Sequence, residues 1–241
     1  MLAKRLVASV TVDVRPPASE EWRGAAGDLA HTPAYAQAAD ELMFVPAPGI
    51  DHAAVVRRLR QAAGLLFVPV TVREPAMSRE QLDELIDAGA DRVYLWAEKA
   101  DELAASASSR WGKQAVGLCV ALQLSPAGEG WSLAGSGDPG APAFDLARLE
   151  ALAAAGAGEL LVLASQADLG DCAVALRAIS DRLDVPVIVA GTVRTTEGLR
   201  RVLIDGGVGG LVFEPDCVEE FEDVAQIKTY LAAAGIVVRG A

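Results

Sequence analysis

Apolar residues in this chain fall into short continuous runs, separated by longer stretches in which they recur every three or four positions. The runs at 6–12, 41–45, 67–72, 92–95, 115–122, 159–163, 185–189 and 210–213 are rich in valine, leucine and alanine. Runs this short and unbroken predict strands buried on both faces. The intervening stretches predict helices. The clearest covers 78–88, where Ser78 is a good N-cap, Gln81 completes a capping box, and Leu82, Leu85 and Ile86 share one face. Residues 143–155, rich in Ala and Leu and stopped by Gly156, read as another helix. Val224, Ile227, Tyr230 and Leu231 mark a last one, ended by Gly235. Eight strands mostly alternating with helices predict an α/β fold, a (βα)8 TIM barrel.

The pattern occurs nearly twice. Val68-Pro69-Val70-Thr71-Val72 leads into a helix ending Leu85-Ile86-Asp87-Ala88-Gly89-Ala90. Half a chain later, Val185-Pro186-Val187-Ile188-Val189 leads into one ending Leu203-Ile204-Asp205-Gly206-Gly207-Val208. Such a repeat predicts two half-barrels joined in one domain, residues 1–241. After the two strands the copies diverge: Arg73-Glu74-Pro75 in one, Ala190-Gly191-Thr192 in the other. The least regular stretches, 13–28 and 125–142, follow the first and fifth candidate strands. They are expected on the face where such barrels work, as lids or as plain loops.

Composition narrows the partners. A net charge of −12 disfavours nucleic acid and anionic membranes and otherwise favours solubility. The cysteines, Cys119, Cys172 and Cys217, are odd in number and lack CxxC spacing, which argues against a disulfide framework or a zinc site. Cys119 lies in an apolar run and is expected in the core. No run reaches membrane-spanning length and the N-terminus lacks a signal-like apolar region, so a cytoplasmic protein is expected. His31 and His52 form no metal pair and are expected at the surface. Neither a metal nor a cofactor is expected.

The opening Met1-Leu2-Ala3-Lys4-Arg5-Leu6 resembles the start of the cyclase subunit of imidazole glycerol phosphate synthase. The likeness continues through Asp40-Glu41-Leu42-Met43-Phe44, the first Val-Pro-Val strand, Ala88-Gly89-Ala90-Asp91-Arg92-Val93 and Gly112-Lys113-Gln114-Ala115-Val116. It closes with Gly156-Ala157-Gly158-Glu159-Leu160-Leu161 and Ile227-Lys228-Thr229-Tyr230-Leu231. These blocks span essentially the whole chain in order, and the family is itself a two-fold half-barrel. The resemblance implies ring closure on a bis-phosphorylated ribonucleotide at the C-terminal face of the barrel. It implies ammonia from a glutaminase subunit docked at the N-terminal face and passed through the barrel, with two aspartates moving protons.

At the positions of those aspartates this sequence has Thr11 and Ala121. A threonine hydroxyl is a poor proton shuttle near neutral pH, and a methyl group is none. The phosphate turns also differ, since glycine-rich turns let backbone N–H groups approach an anion. Arg73 and Glu74 replace the run after the third strand; Gly191 remains after the seventh, next to Thr192; Glu214 follows the eighth. Trp96, Ser136, Gly137 and Asp168 complete the former phosphate or pocket positions, and Trp96 is large enough to fill a pocket. Arg73 reads either as an anion ligand or as the partner of Glu74 in a surface ion pair.

At the opposite end the resemblance implies a ring of four charges, carried here by Arg5, Glu41, Arg92 and Glu159, with Asp91 at the partner interface. The ring reads equally as a gate or as a structural plug. Two functions follow. One is a non-catalytic barrel that docks a glutaminase-like partner. The other is a repurposed enzyme whose acidic top face, with Asp13, Glu74, Glu98, Asp168, Glu214 and Asp216, takes a cationic or non-phosphorylated substrate.

Overall fold

The computed structural model describes residues 3–12, 38–64, 66–73, 78–124, 130–136, 141, 143–164, 168–214 and 221–240. Asp13, Trp22, His31, Glu74, Gly137, Ser165, Asp216 and Cys217, and most of the two irregular stretches, lie outside the described residues.

Among the described residues there are ten strands: β1 (Arg5–Val12), β2 (Glu41–Pro46), β3 (Val70–Arg73), β4 (Arg92–Trp96), β5 (Val116–Leu124), β6 (Trp131–Ala134), β7 (Ala143–Phe144), β8 (Glu159–Ala164), β9 (Val187–Gly191) and β10 (Gly210–Phe213). Eight of them pair in parallel in the order β1, β2, β3, β4, β5, β8, β9, β10, and β10 returns to β1. This closed cylinder is the predicted TIM barrel. Around it run α1 (His52–Ala63), α2 (Arg79–Asp87), α3 (Ala100–Trp111), α4 (Leu146–Gly156), α5 (Ala173–Arg182), α6 (Thr196–Arg200) and α7 (Val224–Ala233).

Strand alternation sorts the apolar residues into two cores. One set, including Leu6, Leu42, Val72, Leu118, Leu160 and Leu211, faces the helices. The other, with Val7, Met43, Tyr94, Cys119, Leu161, Ile188, Ala190 and Val212, fills the barrel axis. Both faces of each strand are therefore buried, which explains the continuous apolar runs.

The repeat extends to single hydrogen bonds. Pro69 and Pro186 precede β3 and β9; lacking an N–H, each contributes only its carbonyl to the neighbouring strand. Leu42 N–H donates to Pro69 O at 2.9 Å, and Leu160 N–H to Pro186 O at 2.9 Å. Those prolines set the strand starts at Val70 and Val187, later than the expected 67 and 185. Two further expectations are corrected. The stretch 125–142 contains a strand, β6, which pairs antiparallel with the end of β5 and with β7. Residues 143–144 belong to β7, so α4 starts at Leu146, capped by Asp145, whose carboxylate accepts from Arg148 N–H at 2.6 Å. The capping box of α2 forms as expected, with Ser78 and Gln81 bonded reciprocally.

Candidate functional site

The N-terminal floor of the barrel is built from the first residues of four strands: Arg5, Glu41, Arg92 and Glu159. Two residues further along, the same strands place Val7, Met43, Tyr94 and Leu161 on the axis. The period of two therefore directs all four charges inward as well. Arg5 Nη1 donates to Glu41 Oε1 at 2.5 Å, and Arg5 Nη2 bonds Glu159 Oε2. Arg92 Nη1 meets Glu159 Oε1 at 2.6 Å and lies 3.8 Å from Glu41 Oε2. Signs alternate around a closed ring, and each guanidinium faces both carboxylates. Glu41 and Glu159 are buried. Carboxylates in that position are costly unless paired, and the alternation supplies the pairing. The ring is uneven: Glu159 is fully engaged, whereas Glu41 Oε2 is buried with no hydrogen-bond partner among the described residues.

Tyr94 stands directly on this ring. Its hydroxyl donates to Glu159 Oε1 at 2.5 Å, and burial raises its pKa to about 12. Gly117 provides the space: a Cβ there would lie 2.4 Å from Tyr94 Cδ1. The apolar pattern of the sequence does not by itself mark this pair. The available signal was an aromatic residue of inward parity opposite a glycine on the adjacent strand.

Carboxylates also secure the strand starts beside the ring. Asp40 Oδ2 accepts from Leu6 N–H at 2.8 Å, and its Oδ1 pairs with buried Lys228 at 2.7 Å. Asp91 Oδ2 accepts from Val70 N–H at 2.8 Å, so this exposed residue fixes β3 to β4. Phe67, fully exposed, and Val237 lie on this same face.

At the opposite end, Thr11 is exposed on β1 and Ala121 is buried on β5. Arg73 ends β3, two residues beyond Thr71, which pairs with the axial Met43, so strand alternation gives Arg73 the axial parity. Burial pushes the Cys119 thiol up to about 12. Trp96 ends β4, half-buried, and packs on the axial apolar cluster, where it occupies space at the top of the barrel. Ser136 is buried just after β6, and Glu214 is half-buried just after β10.

Asp168 has both carboxylate oxygens engaged by backbone: Oδ1 accepts from Gly170 N–H and Oδ2 from Arg194 N–H, each at 2.7 Å. Gly191 allows a close approach, since a Cβ there would lie 2.5 Å from Ala164 O; exposed Thr192 accepts Leu169 N–H through its carbonyl at 2.9 Å. His52, expected at the surface, is half-buried with Nε2 at 3.1 Å from Glu84. Among the described residues no three His, Cys, Asp or Glu side chains converge as a metal site, and no helix is long and apolar enough to cross a membrane.

No family model matches the chain. Curated relatives do. The imidazole glycerol phosphate synthase subunit HisF of Thermosynechococcus vestitus is 30% identical over 258 residues, covering 100% of this chain and 92% of the relative. The subunit of the same name from Deinococcus radiodurans is 31% identical over 257 residues, covering 99% and 97%. That of a Synechococcus strain is 31% identical over 215 residues, covering 83% and 81%. Similarity along the full length, joined to the closed barrel, shows that the chain belongs to the family of the imidazole glycerol phosphate synthase subunit HisF.

Proposed function

We propose that this chain is a non-catalytic member of the HisF family, a barrel that docks a glutaminase-like subunit on its N-terminal face. The contrast between the two ends carries the reading. The floor retains a complete ring of alternating charges, Arg5, Glu41, Arg92 and Glu159, each held in place by ion pairs. At the other end, the positions that resemblance assigns to proton transfer hold a hydroxyl and a methyl group, Thr11 and Ala121. Neither moves protons near neutral pH. Asp168 accepts a backbone N–H on each oxygen, which gives it a structural role in fixing the loop after β8. Phe67, exposed in the segment that enters β3 at this end of the barrel, is the kind of side chain that a partner covers.

The test is co-expression with the glutaminase of the same genome, followed by co-purification, in parallel with complementation of a histidine auxotroph. A stable complex without growth is the expected result. Absence of a complex would remove the docking role, and growth of the auxotroph would remove the non-catalytic one.

A further inference from the structure

We infer that Tyr94 seals the barrel axis, so that no small molecule passes between the N-terminal floor and the C-terminal face. Three observations converge on this residue. Its ring lies against Gly117 on the neighbouring strand, in space that any side chain at 117 would occupy. Its hydroxyl is tied to Glu159, so the ring cannot swing aside without stranding a buried donor and loosening the charged floor. The axial side chains around and above it, Val7, Met43, Cys119, Leu161, Ile188 and Val212, are at most 1% exposed. A charged layer and an aromatic layer therefore lie in series, and the aromatic one is the tighter barrier, because it is close-packed and apolar and offers a polar molecule no groups to pair with. A path along the axis, as the resemblance implies for ammonia, is closed here. Any molecule acting at the C-terminal face arrives from that side, whether or not a partner docks below.

Cys119 reports on the seal. It lies on β5 two residues beyond Gly117, in the layer above Tyr94, while Cys172 is buried outside the barrel axis and serves as an internal reference. Native protein is treated with methyl methanethiosulfonate, and labelling of each cysteine is followed by peptide mass spectrometry. In the wild type and in Arg92→Ala, which opens only the charged layer, both cysteines label equally slowly. In Arg92→Ala/Tyr94→Ala, Cys119 labels roughly tenfold faster while Cys172 is unchanged. Arg92→Ala/Tyr94→Phe, which keeps the ring, stays protected. Fast labelling of Cys119 in Arg92→Ala alone, or no selective gain in the double variant, overturns the seal. If the double variant opens globally and both cysteines accelerate together, wild-type crystals under xenon pressure decide. Xenon or a file of waters on the axis between the charged ring and Cys119 overturns the inference; an axis free of both supports it.

Discussion

Glu159→Gln tests how the charged ring is held together. The wild-type ring is neutral, with two guanidinium groups facing two carboxylates. Glu159 receives Arg5 on one oxygen, and Arg92 and Tyr94 on the other. Glutamine keeps the shape but leaves net positive charge in a buried layer and turns an N–H2 group toward guanidinium donors. Breaking a buried pair by removing one partner costs about 3–5 kcal/mol. The retained amide oxygen places this variant near the lower end, at about 3 kcal/mol. In a chain of 241 residues each kcal/mol moves Tm by about 2–4 °C, so a fall of roughly 6–12 °C is expected. Glu41→Gln should cost less, about 1–2 kcal/mol, because Glu41 accepts one hydrogen bond, from Arg5, and meets Arg92 only at 3.8 Å. Thermal and urea unfolding of both variants measure the two costs. Added salt should leave their order unchanged, since buried pairs are screened little. A reversed order, or a Glu159→Gln variant within about 2 °C of wild type, would refute this account of the ring.

Three further outcomes are expected. Gly117→Ala should destabilise by about 1–3 kcal/mol through overlap with the Tyr94 ring, and the added cost in a Tyr94→Ala background should be smaller, as a urea-based double-mutant cycle would show. Asp168→Ala should cost roughly 1–2 kcal/mol by releasing the backbone N–H groups of Gly170 and Arg194, with faster amide exchange at those two positions. Tyr94, raised by burial to about 12 from 10.0, stays neutral in the fold while the unfolded chain ionises. Its stabilisation is complete below pH 10 and declines as pH rises toward 12, so wild type should lose more stability than Tyr94→Phe over that interval.

The barrel could be read from sequence because burial on both faces writes itself as short apolar runs, and all eight runs overlap barrel strands. Strand starts were less accessible. Val68 and Val185 look like strand residues, yet Pro69 and Pro186 each supply an acceptor and no donor, so pairing begins one residue later. The β6 strand is hidden because four residues, Trp131 to Ala134, lie within a stretch rich in glycine, proline and serine, and pairing with β5 and β7 makes them a strand. The four ring residues followed from resemblance, and their contacts followed from each being the first inward position of its strand. Tyr94 is not legible in the sequence because an isolated aromatic in an apolar run has the same pattern whether it points to the helices or to the axis; Gly117 across the ladder distinguishes the two.

The uneven ring also has a consequence for assembly. Arg5, Glu41 and Arg92 come from β1, β2 and β4 in the first half-barrel; only Glu159 comes from the second, on β8. The first half's share of the ring therefore carries one uncompensated positive charge, and Tyr94 lacks the carboxylate it bonds in the closed barrel. Both are satisfied by one side chain, and only when β8 closes in a single alignment. A slip of one residue would turn Leu160 toward the axis and Glu159 toward the helices. The ring thus proofreads the joining of the halves, rejecting near-miss closures that apolar packing alone would tolerate.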